Sequence, residues 1–418
     1  MRSAIAVTIA PAALAAAAIA LLLALRLAGA GFEGDPLAVV REAGPGDRLW
    51  EVAGRRAPVI GVALLAWLAA FVVSMVASRE RAGRAAARLL ALSLVYAPLL
   101  CLAGAALEPS VAAERLLLML GAAALAALTL AALGGYRALA FACATTVLAV
   151  AVDLIAGSPL TRLSLAGPNP AGGHRFYGVG NELAAILAPL VLVGTGAAMS
   201  GLTTPWGGRS RMRGAAAFLV AAGALSFVFA YGRFGADVGS AIMLPLGAAV
   251  AAAVLLGRPR LALLALLLPL PAVALLAAAD LLTGADAHLT GTVLQAESNG
   301  DVLDVLADRL RQAGSSFGRP LLLAGLPLTL AGALAAWLRR DRLAAWLRGR
   351  EPVRAGLLGA LAAIVVGTVT NDSGALLLEL GAIYLGAFCA FAWAEQGGGR
   401  DAARPARGEN RRPAIDYA

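Results

Sequence analysis

Lysine is absent from this sequence, and histidine and cysteine are scarce. All 34 basic residues are arginine, and the 418 residues include two histidines and three cysteines. The absence of lysine excludes Schiff-base chemistry and a lysine base. Each cysteine lies inside an apolar run, so we interpret all three as small packing residues and expect no disulfide framework. The cysteines are Cys101, Cys143 and Cys389.

Charged residues are scarce as well, at 14% of the chain, whereas 60% of the residues are hydrophobic. Several apolar runs are long enough to span a bilayer, which excludes a soluble globular protein. The net charge of +9 does not indicate nucleic-acid binding here, because the arginines lie between the apolar runs. We therefore predict an all-α, polytopic helix bundle in a bacterial inner (plasma) membrane, with the lipid bilayer as its first partner.

Hydropathy predicts about twelve transmembrane helices, since lipid offers the backbone no hydrogen-bond partners outside a helix. The first apolar run is long for a signal peptide, so we interpret it as a retained helix. Together the spans form a single multi-pass domain over residues 1–394, followed by a basic, disordered tail over residues 395–418. The predicted spans cover residues 4–26, 58–77, 89–107, 116–134, 138–156, 177–199, 214–231, 238–256, 261–280, 320–338, 355–370 and 375–394.

The arginines predict the orientation of these helices. They cluster in alternate connections and in the tail, which places both termini in the cytoplasm by the positive-inside rule. Two long connections, residues 27–57 and 281–319, then lie on the outer side. Within the second, residues 301–312 have the apolar spacing of an amphipathic helix that lies at the interface or covers a cavity. A solvated connector is the alternative.

Polar residues suited to chemistry concentrate in three short segments, each at the start of a predicted span. Motif 1 is residues 167–182 (GPNPAGGHRFYGVGNE), motif 2 is residues 233–240 (RFGADVGS) and motif 3 is residues 370–374 (TNDSG). In the predicted topology, all three precede helices that start at the outer face. Helix N-termini present unpaired N–H groups and a partial positive charge, so three of them together predict an anion site. The closely spaced glycines allow a backbone or a ligand to approach.

Within the motifs, each candidate residue has a predicted role. Arg175 and Arg233 have the donor geometry for phosphate or carboxylate. Glu182 or Asp237 is the candidate base or proton carrier, and His174 is a candidate acid or base. The other substrate-binding candidates are Tyr177, Asn181, Asn371, Asp372 and Glu379.

Spacing supports some of these roles, and each role has a structural alternative. Arg233 with Asp237, and Tyr177 with Asn181, are four residues apart and make contact if both members lie on a helix. Glu182, Asp237 and Asp372 also suit first-turn carboxylates that complement the helix dipole, with Asn371 as a cap of the last helix. Arg233 and Asp237 would then form a structural ion pair, and the glycines of motif 2 would serve helix packing.

The last candidates are an ionisable residue inside a predicted span and a possible metal site. Glu379 lies about two turns inside the last helix, where a charge is costly and marks a functional candidate. We predict no metal site, because two histidines without usable cysteines make no typical zinc centre. Carboxylates of the motifs remain weak candidates for Mg²⁺ or Ca²⁺. No nucleotide-binding loop or hydrolase motif is present, and the sequence assigns no cofactor.

The three motifs resemble a family of polytopic membrane proteins of actinobacteria and other bacteria. The family pattern is approximately R-F-Y-G-x-G-N, G-A-D-x-G-G and N-D-S-G, and the chain has RFYGVGN, GADVG and NDSG in this order. Ser240 stands where the last glycine of the second element is usual. The match covers few residues, but they extend from the sixth to the twelfth predicted helix. The resemblance implies a polytopic fold and these site residues, and it names no reaction.

Three functions fit these observations. The first is an outer-face site for an anionic, phosphate-bearing, lipid-linked cell-envelope substrate that is transferred or translocated. The second is an H⁺- or Na⁺-coupled transporter in which Asp237, Asp372 and Glu379 form the ion path. The third is a non-catalytic scaffold that partners envelope-assembly proteins. Whether the protein is an enzyme is left open.

Overall fold

The computed structural model describes most of the predicted helices. It covers residues 52, 54–77, 80–168, 177–201, 208–258, 260–264, 267–268, 271–272, 274–276, 278, 311–318, 320–371 and 373–396. This part of the chain is mostly helical and contains no strand. The predicted helix at residues 4–26, most of the two outer connections and nearly all of the tail lie outside the described residues. Of the amphipathic segment 301–312, only the last two residues are described, and they are helical.

The described helices follow the apolar runs closely. In chain order they are α1 (Val62–Ala77), α2 (Glu80–Leu107), α3 (Val111–Leu133), α4 (Gly135–Ile155), α5 (Asn181–Ser200), α6 (Gly208–Ala230), α7 (Val238–Leu255), α8 (Pro320–Leu338), α9 (Arg340–Trp346), α10 (Glu351–Thr370) and α11 (Gly374–Glu395). A π-helical turn, Ala57–Gly61, leads into α1. Eight of these helices are long and apolar enough to cross a membrane. The multi-pass membrane bundle is therefore supported, while the total of about twelve spans stays a prediction.

Small residues let the central helices pack backbone to backbone. Helix α5 is the most buried, and it packs against α4, α10 and α11. On α10, Gly356 lies directly over the carbonyl of Leu192 in α5, and Gly359 lies over the carbonyl of Gly247 in α7. Gly196 of α5 meets the backbone of α10 in the same way. Close approach of this kind provides van der Waals contact between helices where lipid supplies no hydrophobic driving force.

Arginine contacts gather several helix termini at one end of the bundle. The side chain of Arg88 in α2 donates to the carbonyl of Ala394 in α11 over 2.8 Å. Arg350 donates to the carbonyl of Ser200 over 3.1 Å, and Arg137 donates to that of Gly201 over 3.3 Å. We call this the arginine end, and the opposite end, where α5, α7 and α11 begin, the motif end. The two ends agree with the predicted sidedness of the connections, and their assignment to cytoplasm and exterior stays a prediction.

We expect Gly356→Ala to destabilise the protein, because the added Cβ would lie 2.5 Å from the carbonyl oxygen of Leu192. Overpacking of a tight core costs about 1–3 kcal/mol. The matched control is Gly223→Ala on α6, where a Cβ has no neighbour within 4 Å and alanine favours the helix. Thermal unfolding in detergent measures both. Equal midpoints for the two variants would contradict the backbone contact between α5 and α10.

Candidate functional site

Motif 1 and motif 2 are joined through their backbones at the motif end. The main-chain N–H of Val179 donates to the carbonyl of Gly235 over 2.8 Å, and the hydroxyl of Tyr177 donates to the carbonyl of Gly232 over 3.2 Å. Gly178 has a φ of +79°, and a Cβ on it would overlap the carbonyl oxygen of Gly235. Glycine is therefore required at position 178 for both its conformation and its lack of a side chain.

Motif 3 contacts motif 2 through Asn371. A Cβ on Gly239 would lie 2.6 Å from Nδ2 of Asn371, so the asparagine side chain lies directly against the first turn of α7. Nδ2 of Asn371 also donates to the carbonyl of Gly367 over 3.2 Å and contacts the sulfur of Met243 at 3.6 Å. The three motifs, which are far apart in sequence, thus meet at one end of the bundle.

The structural role of Asn371 differs from the expected one. Asn371 is the C-cap residue of α10, and its amide bonds back into that helix. The N-cap position of α11 is Ser373, whose side chain makes no capping hydrogen bond. The expectation that Asn371 caps the last helix is therefore wrong, because α10 continues to Thr370 and leaves the asparagine closer to its carbonyls than to the next helix.

Asp237 is the N-cap residue of α7. Its Oδ2 accepts hydrogen bonds from the N–H of Ser240 over 2.9 Å and from the Ser240 hydroxyl over 2.6 Å, and only 4% of the residue is exposed. Asp237 is thus an N-cap, one position before the first turn in which the structural alternative placed it, and its role as a base stays a prediction. Ser240, which replaces the usual glycine of the pattern, supplies the second of these bonds.

Arg233 and Tyr177 precede the helices that follow them and do not lie on them. Helix α7 begins at Val238, so Arg233 lies in the turn before it with its own side chain exposed, and the helical four-residue relation to Asp237 is wrong. Helix α5 begins at Asn181, so the same relation between Tyr177 and Asn181 is also wrong. The cause is the backbone of the glycines: Gly178 has a positive φ and Gly180 is extended, and both conformations interrupt a helix.

Arg56 is a central contact of motif 1 that the motif analysis missed. Its Nη2 donates to the carbonyls of Gly167 over 2.7 Å and Pro168 over 2.9 Å. Its Nη1 lies 3.5 Å from Oε1 of Glu182. Burial lowers the pKa of Arg56, an effect that the Glu182 carboxylate opposes, and a guanidinium stays charged in proteins. No specific signal in the sequence identified Arg56, because several other arginines also lie on the predicted outer side.

The neighbouring Arg55 lines a cavity and does not contact motif 1 in the bonds described for it. Its Nη1 donates to the carbonyl of Pro109 over 3.2 Å and lies 3.8 Å from Oε2 of Glu114. Both side chains line a cavity of about 170 Å³ near the end of α2, together with Glu108 and Leu163. The two arginines therefore connect the start of α1 to this cavity on one side and to motif 1 on the other.

Asp153 shapes the chain that leads into motif 1. Its carboxylate is fully buried near the end of α4 and accepts hydrogen bonds from the N–H groups of Leu160, over 2.9 Å, and Thr161, over 2.7 Å. The sequence does not reveal this role of Asp153, because these partners are backbone N–H groups and not side chains. The contact fixes the turn after α4, and so it directs the following segment towards Arg56.

The predicted helix N-termini are partly occupied by protein groups. Asp237 caps α7, and the Ser316 hydroxyl oxygen accepts a hydrogen bond from the N–H of Ala375 in α11 over 3.0 Å. Ser316 belongs to the end of the second outer connection, so this part of the connection covers the start of α11. The N-termini of α7 and α11 therefore have fewer free N–H groups than an anion site built on helix termini would need.

Aromatic rings surround the turn that carries Arg233. Phe227 stacks on Tyr231 with ring centroids 5.1 Å apart, and Tyr231 meets Phe234 edge-on at 5.0 Å. Phe227 is 46% exposed on the surface of α6. The turn thus presents a guanidinium beside an apolar, aromatic surface.

Three of the candidate residues, His174, Arg175 and Asp372, lie outside the described residues. Among the residues that are described, no group of three histidine, cysteine, aspartate or glutamate side chains has the arrangement of a metal site. Comparisons of the chain with protein-family models, characterised proteins and solved structures found no match. The site is therefore interpreted from its own residues.

We expect Gly178→Ala to disrupt the junction of motifs 1 and 2, because it adds a clash to an unfavourable φ. The control is Gly349→Ala at the arginine end, where φ is +72° but a Cβ has no neighbour within 4 Å. The left-handed backbone alone costs alanine about 1–2 kcal/mol. Hydrogen exchange should be faster at the Val179 amide in Gly178→Ala and unchanged there in Gly349→Ala. Unchanged exchange in both would contradict the contact.

We expect Arg56→Lys to behave almost like Arg56→Ala. A lysine ammonium lacks the planar fork with which Arg56 reaches two carbonyls and a carboxylate at once. Loss of hydrogen bonds to a charged group costs about 1.5–3 kcal/mol each, so both variants should unfold at clearly lower temperature than the wild type. Full stability of Arg56→Lys would show that charge alone suffices.

Proposed function

We propose that the motif end binds an anionic, phosphate-bearing substrate that is linked to a lipid, at the outer face of the membrane. The observation that carries this proposal is the contact of the three motifs. A chain that is 60% hydrophobic brings polar side chains from three distant segments together at one end, which is a common property of binding sites in membrane proteins. Neither packing nor membrane insertion requires such a concentration.

The arginines supply the charge for the substrate. Arg233 is itself exposed, and a guanidinium presents several N–H donors that match the oxygens of a phosphate. Arg175 stands two residues before Tyr177, whose hydroxyl bonds to the same turn. We therefore assign both arginines to the phosphate group.

The aromatic surface beside Arg233 favours a lipid-linked substrate over a free phosphate. Phe227, which stacks on the buried Tyr231, belongs to the exposed apolar face of α6, where Val220 is 70% exposed. Aromatic side chains are typical of the membrane–water interface, because one part of the ring is apolar and its surroundings are wet. A phosphate at Arg233 would thus have its acyl or prenyl chain along α6, within the bilayer.

Of Glu182 and Asp237, the two residues predicted as a base or proton carrier, Glu182 is the better candidate for proton transfer. Its side chain is 26% exposed and has an ion pair with Arg56, whereas Asp237 is buried and engaged as a cap. His174 keeps its proposed role as an acid or base. If the protein transfers a group, Glu182→Gln should lose turnover and retain substrate.

Native mass spectrometry of the purified protein tests the proposal. We expect a phosphate-bearing lipid to be retained by the wild type and lost from Arg175→Ala and Arg233→Ala. The matched control is Arg258→Ala, which removes the same charge from an exposed position at the arginine end. Loss from the control as well would indicate non-specific charge binding, and retention by all variants would contradict the assignment of the two arginines.

A further inference from the structure

Glu379 is an acidic side chain that the proposed anion site does not use. It lies in the second turn of α11, and its carboxylate is pressed against α8, where a Cβ on Gly325 would be 2.5 Å from Oε2. Oε1 is buried, and no hydrogen-bond donor among the described residues contacts it. The glycine leaves room for the carboxyl group but offers it no partner.

The helices around Glu379 place their charges elsewhere. Helix α8 has no ionisable side chain at all, and the charged residues of α2 and α9 are confined to the arginine end. On α10 they are Glu351 and Arg354, also at that end, and on α5 the single one is Glu182, in the first turn. The hydroxyl of Tyr384, further along α11, donates to the carbonyl of Leu94 and is thus engaged. The described segment 311–318, which contacts the start of α11 through Ser316, carries Arg311, and no ion pair between Glu379 and a described cation is present.

A carboxylate in this position is unfavourable as an anion. Burial of an unpaired charge in an apolar environment costs far more than burial of the neutral acid, so the group takes up a proton instead. We propose that Glu379 is a proton-binding site at the interface of α8 and α11. In the packed state the carboxylate has combined with H⁺ to give the neutral acid, and it releases the proton when water reaches it.

The position of α8 provides the means of access. Among the described helices, α8 packs against α11 and α9, and most of its side chains are exposed. One helix thus covers the carboxyl group from one side, and separation of α8 from α11 exposes it. This inference is independent of the phosphate site, because Glu379 contacts none of the described residues that we assign to the substrate.

Dicyclohexylcarbodiimide is the probe for this proposal, since it modifies carboxylic acids that are protonated and shielded from water. The acid proton moves to a nitrogen of the reagent, the carboxylate adds to the central carbon, and rearrangement gives a stable N-acylurea. The purified full chain in detergent is treated over a neutral to alkaline pH series, and the adduct is located by peptide mass spectrometry. We expect labelling of Glu379 at neutral pH that decreases as the pH rises, with Glu182 as an unlabelled, ion-paired control.

Labelling of the wild-type protein alone decides whether Glu379 binds a proton. The Glu379→Gln variant provides a second measurement. Glutamine imitates the neutral acid, so Glu379→Gln should lose the adduct and keep the unfolding temperature of the wild type at neutral pH. No labelling of Glu379 at any pH, or marked destabilisation by glutamine, would overturn the proposal. Protection of Glu379 by Na⁺ but not by K⁺ at constant pH would overturn it too, and would assign the site to Na⁺.

Discussion

The motif end depends on the close approach of two glycines, Gly178 and Gly235, with the hydrogen bond from Val179 beside them. In a bundle where most surfaces are alanine and leucine, side chains keep neighbouring backbones apart, and polar loops have little to hold them together. Two adjoining positions without a Cβ let one loop donate directly to the carbonyl of the other. The turn that carries Arg233 is thereby fixed relative to motif 1, and Asn371 extends the same arrangement to motif 3. The glycines are therefore as important to the site as its charged residues.

The buried polar groups at the motif end divide into two kinds. Asp153, Asp237 and Asn371 are largely or fully buried, and each hydrogen-bonds backbone groups of its own segment or helix. They satisfy donors or acceptors that would otherwise be costly in an apolar environment. Arg233 and Glu182 are more accessible. The buried residues thus stabilise the fold, and the proposed chemistry is assigned to the accessible residues. Both groups belong to the same short motifs or lie close to them in sequence.

The sequence was sufficient for eight long apolar helices and for the idea that the motifs meet, because both follow from local properties. Apolar runs determine the helices, and alternation of arginine-rich connections brings motifs 1, 2 and 3 to the same end. The roles of individual residues were less accessible. Tyr177 and Arg233 were placed on helices, since spacing alone does not reveal that the helices after them begin only at Asn181 and Val238. Arg56 and Asp153 have partners in backbone carbonyls and amides that are distant in sequence or lack any side-chain signature, so only the folded chain identifies them.

The glycine contacts among α5, α7 and α10 have a mechanical consequence. Where backbones touch, helices cannot rotate about their axes or slide without collision, because a neighbouring residue would bring its side chain into the contact. The helices that begin at motifs 1 and 2 thus belong to a rigid unit, and the loops before them have a fixed base. Among the described residues, helix α8 packs mainly against α11 and is not held by such glycine contacts to α5, α7 and α10. Movement in this protein is expected to take place at the periphery, around the framework of α5, α7 and α10 that the glycine contacts hold together.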